Sequence, residues 1–197
     1  KMTMTMAMIG GMYAPSDSVT LMLMSMFMSK DMDLNTYQPM MSRALIGSFS
    51  TSSSDISNVS LGALFKIYES HSNRWHGEIT VDKSVGGIDK PDEVLTPMNK
   101  HIEMILPYGM QIGDKATRIT GAITNVRHIN NNWLVGGQAK AKHVIEHEAW
   151  YFGNTIEINS WVQHQLKRTL SVSARINFKY EDKISGIHSM INGPIQT

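Results

Sequence analysis

Methionine occupies every second position in two segments near the start of the chain, an arrangement that can place many thioethers side by side. The chain contains 16 methionines, and 12 of them lie within residues 1–41. Thioethers are soft ligands that favour Cu(I), and they also make favourable contacts with aromatic rings. The alternation brings to one face Met4, Met6, Met8, Met24, Met26 and Met28.

This methionine ladder is open to three interpretations from the residues alone. It could handle copper or silver ions, form an adaptable apolar path for aromatic solutes, or fill irregular space inside a barrel. A metal site needs convergent ligands, which a flat ladder does not supply by itself. We therefore expect no resident cofactor, and Cu(I) is the metal that the ladder would favour if it bound one.

Charged residues of both signs lie on the polar positions of the later segments. They are Glu78, Asp82, Arg118, Lys140, Lys142, Glu157, Arg175 and Lys179. Charges of mixed sign across a pore would create a transverse field that sets selectivity. An isolated charge in a closed interior is costly, however, so the sequence favours ion pairing among these residues.

Motifs that would indicate an enzyme are missing from the sequence. There is no phosphate-binding glycine loop and no nucleophile elbow. His143 and His147 are four residues apart, a spacing that suits zinc on a helix, but their order is not His-Glu-x-x-His and they lie at a strand end. We expect neither a zinc site nor an enzyme.

Composition excludes several protein classes. The 18 Lys and Arg residues almost balance 17 Asp and Glu residues, which argues against nucleic acid as a partner. The hydrophobic fraction of 42% is too high for a disordered chain. The chain has no cysteine, which excludes disulfides and thiol catalysis. Because Lys1 already precedes a patterned segment, we expect a fragment or a processed chain.

Apolar and polar residues alternate with a period of two along most of the chain, which is the period of β-strands. The pattern predicts a single all-β domain over residues 1–197. We expect an antiparallel up-and-down transmembrane β-barrel with about eight strands. The predicted strands are residues 2–14, 19–31, 53–68, 75–85, 115–128, 133–143, 155–167 and 169–181.

Short turns and long loops alternate between these strands. The long loops are residues 31–52, 86–113 and 144–154, and an outer-membrane barrel has all its short turns at one end. Tyr13, Tyr68, Trp75 and Trp133 lie beside the short turns, where aromatic side chains form an interfacial girdle in such barrels.

Four segments resemble motifs of the bacterial outer-membrane family labelled "MetA-pathway of phenol degradation", whose members are often called transporters. Residues 2–24 (MTMTMAMIGGMYAPSDSVTLMLM) are similar to its methionine-rich opening hairpin. Residues 54–61 (SDISNVSL) resemble its GLGDVxVxxL strand, with Ser54 in place of glycine. Residues 106–113 (LPYGMQIG) resemble LPYPMQLG, and residues 133–139 (WLVGGQA) resemble WSWGAQ.

The resemblance implies a bacterial outer-membrane barrel of about twelve strands, of which this chain would be eight. It also implies transport of aromatic or other small hydrophobic compounds, and it carries over no catalytic residue. The expected partners are membrane lipid and a small hydrophobic solute. The sequence does not determine the oligomeric state.

Two further expectations depend on the structure. If Tyr13 pairs with Val19, then Met8 lies opposite Met24, Met6 opposite Met26 and Met4 opposite Met28, all facing the lumen. The alternatives to a solute channel are a methionine-lined copper- or silver-handling protein and a soluble periplasmic β-barrel binding module. The soluble module predicts that the apolar face of the strands is buried in a closed core.

Overall fold

The structure, a computed structural model, describes residues 1–39, 44–167, 169–189 and 191, and it consists mainly of β-strands. Eight of these strands are long: β1 (Met2–Ser16), β2 (Val19–Tyr37), β3 (Leu45–Glu69), β4 (Asn73–Ser84), β7 (Thr117–His128), β8 (Trp133–Glu146), β10 (Thr155–Lys167) and β11 (Leu170–Glu181). Four are short: β5 (Pro91–Leu95), β6 (His101–Ile105), β9 (Trp150–Tyr151) and β12 (Ser185–Gly186). A single 3₁₀ turn covers Tyr108–Met110 in the described residues.

The eight long strands form one antiparallel sheet in the order β1-β2-β3-β4-β7-β8-β10-β11. Each long strand pairs with the next long strand along the chain, so the sheet is an up-and-down meander that curves into a half-barrel. The prediction of an all-β fold with eight antiparallel strands is confirmed. Within the described residues, β1 and β11 do not pair with each other, and the half-barrel is open.

The prediction of a loop over residues 31–52 is wrong for most of these residues. β2 continues to Tyr37 and β3 begins at Leu45, and the ladder between them includes the pairs Asp31↔Ser52 and Asp33↔Ser50. Residues 31–35 keep the alternation of a half-buried strand, with Met32 and Leu34 partly buried between exposed polar residues. Residues 47–52 are mostly serine, threonine and glycine and lack it, but they are extended because ladder hydrogen bonds join backbone groups whatever the side chains are.

The register of the first hairpin differs from the predicted one by two residues. Met8 lies opposite Met26 and Met6 opposite Met28, whereas Met4 lies opposite Lys30. The hairpin closes at Ser16↔Val19 rather than at the assumed Tyr13↔Val19, and after an irregularity between Tyr13 and Ser16 the residue opposite Tyr13 is Leu21. A shift of two residues leaves every side chain on its original face, so the even-numbered methionines still share one face.

The two faces of the sheet differ in chemistry. The inner face carries Met26, Asp82, Arg118, Lys142 and Glu157, and the outer face carries the alternate residues. Large apolar side chains on the outer face are 38% exposed or more: Leu21, Leu23, Phe27, Val59, Leu61, Ile79, Val81, Ile119, Ile123, Ile156, Ile158, Val172, Ile176, Phe178 and Tyr180.

Among the described residues, no helix has the length and apolar character needed to cross a membrane.

Candidate functional site

The connection from β6 to β7 folds onto the inner face, and we call residues 106–114 the strap. All its residues except Pro107 and Gly109 are buried. Gln111 is fully buried, and Met110 and Asp114 are each 1% exposed. The sequence predicted a long loop here, and the structure corrects this: residues 86–113 contain the β5–β6 hairpin and a buried strap. No periodic pattern marks the strap, because its burial comes from contacts with distant strands.

Side chains of β2 and β3 bind the backbone of the strap. Lys30 Nζ donates hydrogen bonds to the carbonyl oxygens of Gly109 at 2.9 Å and Gln111 at 2.7 Å. Ser53 Oγ donates to the carbonyl oxygen of Met110 at 2.5 Å. Buried irregular backbone needs such partners, because it has no ladder of its own to satisfy its carbonyl groups. Lys30 therefore has a role that its position in the methionine-rich hairpin did not reveal.

The end of the strap is held by an ion pair between Asp114 and Arg118. Arg118 Nη1 donates to Asp114 Oδ1 at 3.1 Å, and Nη2 donates to Oδ2, so the pair is bidentate. The Asp114 carboxylate also accepts the backbone N–H of Phe152 at 2.8 Å. Ser84 Oγ accepts the backbone N–H of Asp114 at 3.0 Å. This group joins the strap to β4, β7 and the connection between β8 and β10.

A small apolar cluster lies against the strap at the long-loop end of the sheet. Tyr108 and Trp150 pack edge to face with their ring centroids 4.7 Å apart, and Ile191 packs on them. Trp150 belongs to β9, which pairs with β12. Tyr108 Oη also accepts the backbone N–H of His188 at 2.9 Å. The strap is thus fixed from the loop side as well as from the sheet.

Gly113 is expected to be required for the docked strap. A Cβ atom at Gly113 would lie 2.5 Å from the carbonyl oxygen of Gly86, which is backbone and cannot move aside cheaply. We expect Gly113→Ala to destabilise the protein by about 1–3 kcal/mol, the usual range for overpacking. Thermal unfolding and hydrogen exchange of residues 106–114 would measure this.

Gly109→Ala is the matched control within the same strap. A Cβ atom at Gly109 would have no other atom within 4 Å. This variant is expected to unfold at or slightly above the temperature of the parent protein, because alanine restricts the unfolded chain. Equal destabilisation by the two substitutions would contradict the close approach of Gly86 and Gly113.

A cavity of about 380 Å³ lies between the strap and the inner face. Met4, Met26 and Met28 form one wall, and Ile112, Gly113 and Asp114 of the strap border it. Charged residues make up a large part of the remaining lining: Lys30, Asp82, Arg118, Lys142, Glu157, Lys179 and Glu181. The cavity therefore offers an apolar, sulfur-rich wall together with charged side chains of both signs.

The structure brings half of the predicted methionine ladder into this cavity. Met6, Met8 and Met24 share the inner face but do not line the cavity. Met6 is 60% and Met8 69% exposed. Within the described residues, no cluster of three or more His, Asp or Glu side chains is arranged to hold a metal ion.

The predicted ion pairing among the charged set is wrong. None of the ion pairs in the described chain joins two members of that set. Arg118 pairs with Asp114, and Lys179 with Glu181 at 2.7 Å. The prediction assumed a closed interior, whereas the half-barrel is open in the described residues.

Several residues of the charged set interact with hydroxyl groups or an aromatic ring instead of with each other. Asp82 accepts hydrogen bonds from Ser60 Oγ and, at 3.2 Å, from Thr120 Oγ1. Arg175 lies over the Trp161 ring, 5.5 Å from its centroid. Glu78 accepts from Thr80 Oγ1 at 3.1 Å, and Glu157 lies opposite Lys140 and Lys179 in the sheet register.

The four predicted interfacial aromatics lie on the outer face beside short turns. Tyr68 lies opposite Trp75 in the register of β3 and β4. Trp133 stacks on His164 with ring centroids 4.2 Å apart, and Tyr13 is 69% exposed. The structure thus places these side chains at one end of the sheet.

The two histidines of the His143–His147 spacing do not form a site. His143 lies within β8, and β8 continues to Glu146. Four residues of extended chain span about 13 Å, too far for one ion to bridge. His147 instead stacks on Tyr151 with ring centroids 4.2 Å apart.

Comparison with known proteins adds no relative to this description. No protein-family model matches the chain, and no curated protein matches it. The resemblance carried by the four sequence segments therefore stays a prediction.

Proposed function

We propose that this chain forms part of a bacterial outer-membrane β-barrel through which small hydrophobic or aromatic compounds pass. The observation that carries the proposal is the contrast between the two faces of the sheet. The outer face is apolar and exposed, whereas the inner face carries polar and charged side chains beside the methionine ladder and is partly covered by the strap. In the proposed barrel, the outer face contacts lipid and the inner face binds the solute.

The exposed outer face supports contact with lipid. Leu61 is 63% exposed and Ile176 is 76% exposed, and they lie on strands on opposite flanks of the sheet. Covering such side chains with hydrocarbon gains roughly 25 cal/mol per Å². A soluble periplasmic module would bury this face in a core, which does not occur in the described chain.

The free edges of the half-barrel support a larger barrel. Backbone groups on the outer edges of β1 and β11 have no strand partner in the described residues. Unpaired backbone in hydrocarbon costs several kcal/mol per group. We propose that further strands, to a total of about twelve, complete the sheet in the membrane.

The cavity under the strap supports a small solute of mixed character. Its volume of about 380 Å³ suits a small molecule. Met4, Met26 and Met28 can adapt to an aromatic ring, and Lys142 or Arg118 can attract a polar group on the same solute. The convergence of three thioethers in one cavity also favours copper or silver as a second candidate.

Conductance across planar bilayers tests the proposal directly. The reconstituted protein is expected to give discrete current steps that a small aromatic acid blocks. Replacing Met4, Met26 and Met28 with leucine should weaken this block, because leucine keeps the apolar volume and loses the sulfur contacts. Block by Cu(I) that the same substitutions abolish would favour the metal candidate, and a silent, folded protein would contradict a channel.

A further inference from the structure

The charged side chains around the cavity under the strap balance each other in sign. Four are cationic and four are anionic, counting Asp114 of the strap together with the seven residues on the strands. A ligand with a net charge would disturb this balance, because its charge would need a counter-charge in a partly enclosed space. A ligand without net charge would preserve it.

Most of these charged groups already have a partner in the described part of the chain. The six partnered groups are Arg118 with Asp114, Lys179 with Glu181, Lys30 with two carbonyl oxygens of the strap, and Asp82 with two hydroxyl groups. Lys142 and Glu157 are the two that remain. Both are half-buried and line the cavity, one as a cation and the other as an anion.

Lys142 and Glu157 are neighbours on the inner face of β8 and β10. Glu157 lies directly opposite Lys140, and Lys142 lies opposite Thr155, so Lys142 and Glu157 are diagonal neighbours. Diagonal positions of a sheet are roughly 7–8 Å apart. The two groups do not form an ion pair with each other in the residues that the structure describes. A molecule whose own positive and negative groups are a few bonds apart can therefore contact both.

The methionine wall of the cavity defines the rest of such a ligand. Met4, Met26 and Met28 line the same cavity as Lys142 and Glu157. Methionine side chains are flexible and adapt to apolar groups of different shape. A small zwitterion without an apolar group would leave this wall without a contact. The cavity therefore suits a zwitterion that carries an apolar side chain.

We propose that the cavity under the strap binds a small zwitterion with an apolar side chain, of which a free α-amino acid is the simplest kind. Its carboxylate binds Lys142 Nζ, its ammonium group binds the Glu157 carboxylate, and its side chain packs on the methionines. The inference rests on the proposed function, because it names the solute class of the same cavity. Recognition depends on two opposite charges as well as on the apolar group.

Three probes of almost identical shape test this by isothermal titration calorimetry on the purified protein in detergent micelles. They are L-leucine, 4-methylpentanoate, which lacks the ammonium group, and 3-methylbutylammonium, which lacks the carboxylate. We expect saturable binding of L-leucine. Each of the other two should bind at least about tenfold more weakly, the effect of one hydrogen bond to a charged group.

Substitution of the two charged residues should give a crossed pattern. Lys142→Gln should weaken L-leucine binding about tenfold and leave 3-methylbutylammonium binding unchanged or tighter. Glu157→Gln should weaken L-leucine binding to a similar extent and leave 4-methylpentanoate binding unchanged or tighter. A purely structural role of either residue would instead weaken all three probes together.

The exposed pair of Lys83 and Glu146 provides matched controls. Lys83→Gln and Glu146→Gln make the same chemical changes outside the cavity lining and should leave L-leucine binding unchanged. Lys142 and Glu157 have no hydrogen bond or ion pair to lose in the described chain, so their variants should unfold close to the temperature of the parent protein.

Three results would overturn the site. They are the absence of saturable L-leucine binding, binding of either singly charged probe as tightly as L-leucine, and L-leucine binding that neither substitution weakens. Current steps that an aromatic acid blocks, in a protein that does not bind L-leucine, would remove this site and leave the proposed function intact. L-leucine binding with the crossed pattern, in a folded protein that passes no current, would contradict the proposed function alone.

Discussion

Ile123→Arg is expected to lower the free energy of unfolding from a lipid bilayer by about 2–4 kcal/mol. Ile123 lies in the middle of β7 on the outer face and is 44% exposed. In a membrane this side chain would face hydrocarbon, where a guanidinium group is costly. Unfolding by guanidinium chloride from lipid vesicles, compared with the parent protein, measures the difference.

The neighbouring position provides the matched control. Ala122 is adjacent to Ile123 on the same strand but faces inward, opposite Glu78 and Lys140 in the register. Ala122→Arg should therefore change the free energy of folding by less than about 1 kcal/mol, since its charge stays in an open, polar interior next to Glu78. A harmless arginine at Ile123 would indicate that water covers the outer face, and the membrane placement would then be wrong.

Asp114→Asn is expected to destabilise the protein by about 3–5 kcal/mol and to increase the conductance of the channel. The substitution removes the negative partner of Arg118, whose side chain is only 11% exposed, and breaking a largely buried pair leaves one charge uncompensated. The backbone N–H of Phe152 loses the charge of its acceptor at the same time. Denaturant unfolding measures the stability. An increase in single-channel current would indicate that the strap has loosened and restricts the pathway less.

Glu146→Gln is the control for this prediction. Glu146 pairs with Lys83 at 3.7 Å, but its side chain is 73% exposed, so its loss should cost at most about 1 kcal/mol. The current should not change, because Glu146 does not contact the strap. Unchanged current in Asp114→Asn, together with reduced stability, would show that the strap does not restrict the pathway.

The sequence predicted the meander because alternation records which face each side chain occupies. β10 was predicted at its observed bounds, and the even-numbered methionines were placed on the correct face. The partner of each methionine was predicted wrongly, because register depends on the turn, and the hairpin closes at Ser16↔Val19 rather than at the assumed Tyr13↔Val19. Alternation alone does not contain that information.

The burial of the strap could not be predicted from the sequence, for a different reason. Its polar anchors come from β2, β3, β4 and β7, and the bond from Lys30 to Gln111 joins residues 81 positions apart. Gln111 and Asp114 have the composition of an exposed loop, yet they are among the most buried residues described. Three-dimensional proximity of several strands decides their burial, and no local pattern records it.

The long-range attachment of the strap also sets an order of events during folding. Each hairpin of the meander closes through a short turn, so neighbouring strands can pair with little loss of chain entropy. The strap, in contrast, can dock only after β2 and β7 have both taken their places, since Lys30 holds its middle and Arg118 holds its end. We therefore expect assembly in two stages. The sheet forms strand by strand, and the strap then docks in one cooperative step that links distant strands of the sheet.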